Sequence, residues 1–137
     1  MPGYSGTPLL KKLGLKTPME YLVPDAPGEF AEWLGELPDG VALVSATDPP
    51  VRAAHLFVTE RDAMESQLLA LRSQLEQTGF LWVSWPKKSS KVATDITEDT
   101  IREVALPMGY VDVKVCAVSD IWSGLKLVIR KSERVSA

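Results

Sequence analysis

Short apolar runs bounded by turn residues alternate along this sequence with segments in which apolar residues recur at helical spacing. The runs that predict buried strands are Glu20 to Val23, Val41 to Ser45, His55 to Val58 and Phe80 to Trp85. Two more runs, Tyr110 to Val118 and Leu125 to Arg130, are joined by a connection too short for a crossover helix. They predict an antiparallel hairpin at the end of the chain.

Four segments have the spacing and the end signals of helices. The first is Pro8 to Gly14, with Thr7 as its cap, and the second is Phe30 to Leu34. The third begins at the cap Thr59 and continues through Met64, Leu68, Leu71 and Leu75 to Gly79. The fourth is Ile101 to Met108, with Asp95 or Thr97 as its cap. Strands separated by helices require right-handed crossovers and a parallel sheet with helices on both faces. The sequence therefore predicts an α/β fold of three layers, with a Rossmann-like, mostly parallel sheet and a C-terminal antiparallel hairpin.

Length, charge and cysteine content narrow the class of protein. The 137 residues have the usual size of one domain, so residues 1–137 are expected to share a single core. A hydrophobic share of 45% excludes a disordered chain, and a net charge of −3 argues against nucleic acid as a partner. The sequence has one cysteine and no zinc-ligand spacing, which predicts a protein of the reducing cytoplasm. It has no apolar run of signal-peptide or membrane-spanning length, so we expect a protein that does not enter membranes.

The order of the elements resembles the second half of the Rossmann-like fold of class I S-adenosylmethionine-dependent methyltransferases, as a truncated version of it. In those enzymes the first strand ends in an acid and a Gly-rich turn, and a second acid binds the cofactor ribose. Here the turn Pro24 to Gly28 has one glycine and two prolines, and the second strand is followed by no acid before Asp48. The sequence thus predicts a relative that kept the sheet and binds no cofactor. The alternative is a divergent S-adenosylmethionine-dependent methyltransferase that uses Asp25.

Several sequence blocks resemble those of a family of short bacterial proteins that is catalogued as a domain of unknown function. The blocks are Gly3 to Leu9, Leu81 to Lys88, Val92 to Asp95, Val113 to Val118 and Trp122 to Lys126, and together they span nearly the whole chain. The resemblance implies a free-standing bacterial protein of this size. It carries no activity.

The strongest candidate for a binding site is the loop after the Phe80 to Trp85 strand, which we call the lysine loop. Trp85-Pro86-Lys87-Lys88-Ser89-Ser90-Lys91 leaves the carboxyl end of a predicted parallel strand, where ligands bind in open α/β sheets. Its lysines supply charge, and its serines and the start of the next helix supply hydrogen-bond donors. Residues 80–137 carry a charge balance of +2 and residues 1–79 one of −5, which also places an anion site here. A solvated basic loop is the alternative.

The direction of the strands predicts which edge of the sheet holds the site. Residues that follow strands should gather at one edge, and these are Asp25, Ser45, Thr59 and Lys87. Glu20, His55 and Phe80 should lie towards the other edge. We therefore expect the largest polar pocket between residues 24–28 and 85–91. The segment Gly3 to Thr7 could add donors to the same ligand, or it could be a frayed terminus.

Aromatic residues and two reactive side chains offer further candidates. The positions of Trp82 and Trp85 differ by an odd number, so their side chains should point to opposite faces of the sheet. Trp85, next to Pro86, and Trp122, in the hairpin loop, are placed where a ring could stack on a ligand or a partner. His55 is expected to be structural rather than a general base. Cys116 is expected to be a buried free thiol rather than one activated by Lys114.

Three functions are consistent with these features. The first is a non-catalytic Rossmann-like module that binds a small anionic ligand, of phosphate or nucleotide type, at the lysine loop. The second is a regulatory or assembly protein that acts through a protein partner or as a homodimer, with Trp122 as an anchor and the terminal hairpin as the open edge. The third is the divergent methyltransferase.

Overall fold

The computed structural model describes residues 9–15 and 19–133 of the chain. The strands are β1 (Met19–Leu22), β2 (Val41–Val44), β3 (Val51–Phe57), β4 (Leu75–Pro86), β5 (Tyr110–Ala117) and β6 (Trp122–Ile129). The helices are α1 (Leu9–Leu13), α2 (Phe30–Leu34), α3 (Arg61–Arg72) and α4 (Glu98–Ala105). None of the helices in these ranges has the length and apolarity needed to cross a membrane.

All six strands form one sheet in the order β2-β1-β3-β4-β6-β5. The pairs among β1 to β4 are parallel, while β6 runs antiparallel to both β4 and β5. This arrangement confirms the predicted mostly parallel sheet with a C-terminal hairpin. The hairpin inserts β6 next to β4, so β5 becomes an edge strand.

Two apolar cores lie on the two faces of this sheet. One contains Met64 and Leu68 of α3 and Ile101 of α4, and the other contains Leu13 of α1 and Phe30 of α2. The layers are therefore helix, sheet and helix, as predicted. Trp82 belongs to the α1–α2 core and Trp85 to the α3–α4 core, which confirms that their side chains point to opposite faces.

Helix α3 is shorter than its apolar spacing predicts. It ends at Arg72 instead of continuing to Gly79, because Leu75 pairs with Val51 as the first residue of β4. The side chain of Thr59 does not cap it either. The Asp95 carboxylate, from a loop far along the chain, accepts a hydrogen bond of 2.7 Å from the Arg61 N–H instead.

The two caps considered for α4 therefore have different roles. Thr97 caps α4, because its hydroxyl accepts from the Thr100 N–H and the Thr100 hydroxyl accepts from the Thr97 N–H. Asp95 serves α3 instead. The loop before α4 is further held to β3 by the Thr94 hydroxyl, which donates to the Thr59 carbonyl at 2.6 Å.

The connection between β2 and β3 is unusually short for a parallel crossover. Residues 45–50 return from the carboxyl end of β2 to the start of β3 without a helix, although such crossovers usually need a dozen residues or more. Thr47 in this connection donates a hydrogen bond of 2.7 Å to Glu20 of β1. A groove of about 280 Å³ beside it is lined by Leu22, Leu56 and Ala70. The connection thus leaves the α3 face of β1 and β2 without a helix of its own.

Strand β5 contains a bulge that changes its alternation. The pairing with β6 shifts between Asp112 and Lys114, so Val113 has no partner in the register. Asp112 bonds Arg102 of α4, whereas Lys114 lies 6.0 Å from the Trp82 ring on the opposite face. The bulge therefore places Asp112 and Lys114 on opposite faces of the sheet, although strict alternation would put them on the same face.

Candidate functional site

The carboxyl edge of the parallel strands gathers the residues predicted to lie there. Asp25, Ser45, Thr59 and Lys87 come shortly after β1, β2, β3 and β4, which run in the same direction. The prediction for the residues at the opposite edge is only partly right. Phe80 is paired with Ala53 inside the sheet, and His55 is the fifth of the seven residues of β3. The segment Gly3 to Thr7 lies outside the described residues.

The lysine loop forms a tight turn beyond the end of β4. Lys88 to Ser90 make one turn of 3₁₀ helix, and the Lys87 N–H donates to the Ile121 carbonyl at 2.7 Å. Lys91 has φ of 61° and is the one non-glycine residue with positive φ in the described ranges. None of the three lysines forms an ion pair with a described residue. The loop therefore presents three ammonium groups to solvent on a defined backbone.

The hydrogen-bond donors around this loop differ from the expectation. The Ser90 hydroxyl donates to the Lys87 carbonyl at 2.6 Å and accepts from the Val92 N–H, so it holds the turn together. The N-terminus of α4 is already capped by Thr97. Ser89 is exposed and keeps its hydroxyl at the surface. Of the predicted hydrogen-bond donors, only the Ser89 hydroxyl therefore stays available beside the lysine charges.

The two tryptophans beside the loop have different environments. Trp85 is only 8% exposed and is packed in the α3–α4 core, so its ring is not placed to stack on a ligand or a partner. Trp122 is half-buried and is the first residue of β6, paired with Pro86, rather than part of the hairpin loop. Its ring meets Phe57 edge to face at 5.1 Å. Trp122 therefore borders the lysine loop with part of its ring accessible.

The turn after β1 is open at its one glycine. A Cβ added at Gly28 would meet no protein atom within 4 Å. The exposed Asp25 carboxylate accepts a hydrogen bond of 3.4 Å from Gln67 of α3. No described contact or cavity joins Asp25 to the lysine loop. The structure therefore does not bring together all of the predicted site residues.

The larger cavities lie elsewhere. A cleft of about 510 Å³, lined by Lys11, Arg52 and Lys126 among others, opens at the amino edge of the strands. A second cleft of about 510 Å³ lies at the same edge, beside Arg72 and Leu75. The expectation that the largest polar pocket joins residues 24–28 to residues 85–91 is therefore wrong. The lysine loop lines neither of these clefts.

A buried polar network crosses the centre of the sheet. His55 Nδ1 lies 2.7 Å from the Tyr21 hydroxyl oxygen, and His55 Nε2 lies 2.6 Å from the Ser84 hydroxyl oxygen. All three side chains are fully buried, and the His55 ring stacks on Phe57 at 4.3 Å. Sequence analysis missed this network. Its only signal is that a side chain with a polar group lies among the buried apolar residues of each of the three strands.

Burial controls the protonation of this network. It lowers the pKa of His55 to about 3 and raises the pKa of Tyr21, so both side chains are neutral at pH 7. One imidazole nitrogen then donates a hydrogen bond and the other accepts one. The network ties β1, β3 and β4 together in the interior of the sheet. His55 is structural, as the sequence predicted.

Cys116 has the properties of an unreactive thiol. It is half-buried and packs against the α1–α2 core. Burial raises its pKa, although Lys12 and Lys114 act in the opposite direction. The described residues contain no group of three or more histidine, cysteine, aspartate and glutamate side chains arranged to hold a metal ion.

Comparisons with solved structures relate this arrangement to known folds. A ribosomal protein L11 methylase from Lactobacillus delbrueckii subsp. bulgaricus matches with a TM-score of 0.57 and 13% identity, over 89% of this chain and 75% of that one. LepI, in a complex with SAM, matches with a TM-score of 0.54 and 12% identity, over 89% of this chain and 39% of LepI. An S-adenosylmethionine-dependent methyltransferase from Clostridium acetobutylicum ATCC 824 matches with a TM-score of 0.51 and 7% identity, over 66% of this chain and 65% of that one.

Sequence comparisons add no family to this result. No protein-family model matches the chain, and no curated protein matches it significantly. Identities this low establish a shared fold and nothing about shared chemistry. The protein therefore has the Rossmann-like α/β fold of class I S-adenosylmethionine-dependent methyltransferases.

Proposed function

We propose that this protein is a non-catalytic module with a methyltransferase-like fold that binds a small anionic ligand, of phosphate or nucleotide type, at the lysine loop. The observation that carries the proposal is the set of three ammonium groups of Lys87, Lys88 and Lys91. The three residues belong to one turn that follows β4 at the carboxyl edge of the sheet, and they form no ion pair with a described residue. Open α/β sheets bind their ligands at this edge.

The backbone of the loop supports this function. A left-handed conformation at a lysine costs energy that a glycine would avoid, and such residues concentrate at functional sites. The accessible part of the Trp122 ring lies beside the loop and can contact an apolar or aromatic portion of the ligand. The lysines provide charge, Ser89 provides a hydroxyl, and the Ser90 turn fixes their spacing.

The proposal is tested with phosphate, ATP and S-adenosylmethionine as probes, in thermal unfolding and in tryptophan fluorescence titrations. Phosphate or ATP should stabilise the protein at millimolar concentration. Replacing Lys88 by Gln should weaken ATP binding by about tenfold or more, because a charge-assisted contact contributes about 1.5 to 3 kcal/mol. Lys131→Gln, in an exposed turn far from the loop, is the matched control. Absence of any stabilisation, or equal affinities of the two variants, would contradict the proposal.

The same titration tests the methyltransferase alternative. Tight binding of S-adenosylmethionine that is lost in Asp25→Ala would favour a divergent methyltransferase over the anion-binding module. Calorimetry that detects no heat at high cofactor concentration would exclude that alternative.

A partner-binding role is the second candidate, and one observation favours it. Ile121 is 41% exposed next to the half-buried Trp122, which gives an apolar patch with a basic rim. A homodimer through β5 is opposed by the bulge at Val113 and by the exposed Lys114, because both features discourage pairing at a sheet edge. Light scattering after size exclusion tests this point: a dimer at tens of micromolar would support self-assembly, and a monomer would leave only a different protein as partner.

A further inference from the structure

A basic cleft lies at the edge of the sheet opposite to the lysine loop. It has a volume of about 510 Å³ and opens beside the amino ends of β1, β3 and β4, next to Gly14 and Leu15. We call it the amino-edge cleft. Its lining includes Lys11, Arg52, Lys126, Glu76, Met19 and Phe80.

The amino-edge cleft is rich in positive charge, although the protein as a whole is negatively charged. Three cationic side chains face one carboxylate there, in a chain whose net charge is −3. The pair between Arg52 Nε and Glu76 Oε2 is long, at 3.6 Å, and its side chains are 58% and 38% exposed. An exposed pair of this kind contributes little to stability, so Arg52 can exchange it for a ligand anion at small cost. Lys11 is exposed and forms no ion pair with a described residue.

The wall of the cleft is built by an irregularity in β4. Between the pairs Val51–Leu75 and Ala53–Phe80, β4 contains three more residues than β3, so the regular ladder is interrupted. Irregularities of this kind redirect side chains and are frequent next to binding sites. Gly79 closes the wall, because a Cβ at this position would lie 2.7 Å from the Arg52 carbonyl oxygen. The Gly79 backbone therefore lies so close to that of Arg52 that it leaves no room for a side chain.

The floor of the cleft is apolar. Met19 and Leu15 are less than 10% exposed, and Phe80 lies between them and β6. The Lys126 ammonium stands 4.5 Å from the centroid of the Phe80 ring, within the range of a cation–π contact. Positive charge is thus held directly at the boundary of an apolar surface. Such an arrangement matches a ligand that joins an anionic group to an apolar body.

We propose that the amino-edge cleft binds a small organic phosphate, with its phosphate group between Arg52 and Lys11 and its apolar body on Met19 and Phe80. Arginine suits this role because its planar guanidinium pairs with two phosphate oxygens at once. The site is independent of the lysine loop, since it lies at the other edge of the sheet.

The test compares phenyl phosphate with inorganic phosphate and with phenol, by heteronuclear NMR titration of the full chain. Phenyl phosphate should shift the amide signals of Arg52, Gly79 and Gly14 and should bind at least tenfold more tightly than either fragment. Shifts confined to residues 87–91, or no binding of phenyl phosphate at millimolar concentration, would overturn the proposal.

Two variants separate this site from the lysine loop. Arg52→Gln should weaken phenyl phosphate binding about tenfold, because one charge-assisted contact is lost. Lys88→Gln should weaken phosphate binding at the lysine loop but leave the affinity that is read from the amide signals of Arg52 and Gly79 unchanged. The reverse result, with Lys88→Gln weakened and Arg52→Gln unchanged, would assign the ligand to the lysine loop and refute the amino-edge cleft. Circular dichroism of both variants confirms that neither substitution of these exposed side chains alters the fold.

Discussion

The imidazole of His55 lies 2.6 Å from the hydroxyl oxygen of Ser84, in an interior that water does not reach. In an exposed site this spacing would suit a nucleophile and its base. Here the same contact joins two neighbouring strands. The pair therefore affects the stability of the protein, and its pH dependence gives the first prediction.

The unfolding free energy should fall as the pH is lowered from 7.5 to 5. The pKa of His55 is about 3 in the folded protein and about 6.5 in the unfolded chain, so below pH 6.5 the unfolded state binds a proton that the folded state does not. This difference removes about 2 kcal/mol of stability by pH 5. Urea denaturation at several pH values measures it. His55→Gln should lack this component, and an unchanged pH dependence in the variant would contradict the assignment.

Tyr21 and Ser84 should be energetically coupled through the imidazole between them. Tyr21→Phe and Ser84→Ala should each cost about 1 to 3 kcal/mol, because each leaves a buried imidazole nitrogen without its partner. The double variant should deviate from additivity by about 0.5 kcal/mol or more. Tyr110→Phe is the control, because the Tyr110 hydroxyl donates to the Leu68 carbonyl outside this network. Its combination with Ser84→Ala should be additive in the same denaturation assay.

Gly79→Ala should destabilise the protein by about 1 to 3 kcal/mol. The added methyl group would lie 2.7 Å from the Arg52 carbonyl oxygen, and a backbone atom cannot move aside as a flexible side chain can. Gly28→Ala is the matched control, because a Cβ there meets nothing within 4 Å. Thermal unfolding should show no loss for Gly28→Ala. Equal melting temperatures for the two variants would mean that the close approach at Gly79 is absent.

Asp95→Ala should cost about 0.5 to 2 kcal/mol, because the first N–H of α3 loses its acceptor. Asp99→Ala provides the comparison, since the Asp99 side chain is 88% exposed and its partner Arg102 also pairs with Glu98 and Asp112. That substitution should change stability by about 0.5 kcal/mol or less. A smaller loss for Asp95→Ala than for Asp99→Ala, by chemical denaturation, would show that the carboxylate does not act as a cap.

Features that depend on local pattern were predictable from the sequence. The strand directions follow from helices between apolar runs, and the opposite faces of Trp82 and Trp85 follow from their spacing in a strand. The end of α3 was not predictable in this way. Leu75 continues the apolar spacing of the helix, yet its pairing with Val51 recruits it into β4. Tertiary pairing overrides local periodicity at such positions.

Features that join distant segments left little signal. The Asp95 carboxylate reaches a helix that starts 34 positions earlier, and no spacing rule relates the two. The amino-edge cleft likewise depends on the irregular pairing of β4, which alternation does not reveal. The lysine loop, by contrast, was found because its position after a parallel strand follows from topology alone. The ligand-binding role of its residues stays a prediction.

The six-residue connection between β2 and β3 has a consequence for local opening of the native state. Strand β2 is a four-residue edge strand whose ladder partner is β1, and the connection that follows it brings no helix to cover its α3 face. Backbone amides in such a corner exchange with solvent through partial opening, without unfolding of the whole molecule. Deuterium should therefore enter residues 41–44 well before it enters the paired centre of β3 and β4. The centre of the sheet should therefore be the part most protected from exchange, and the β2 side should open first.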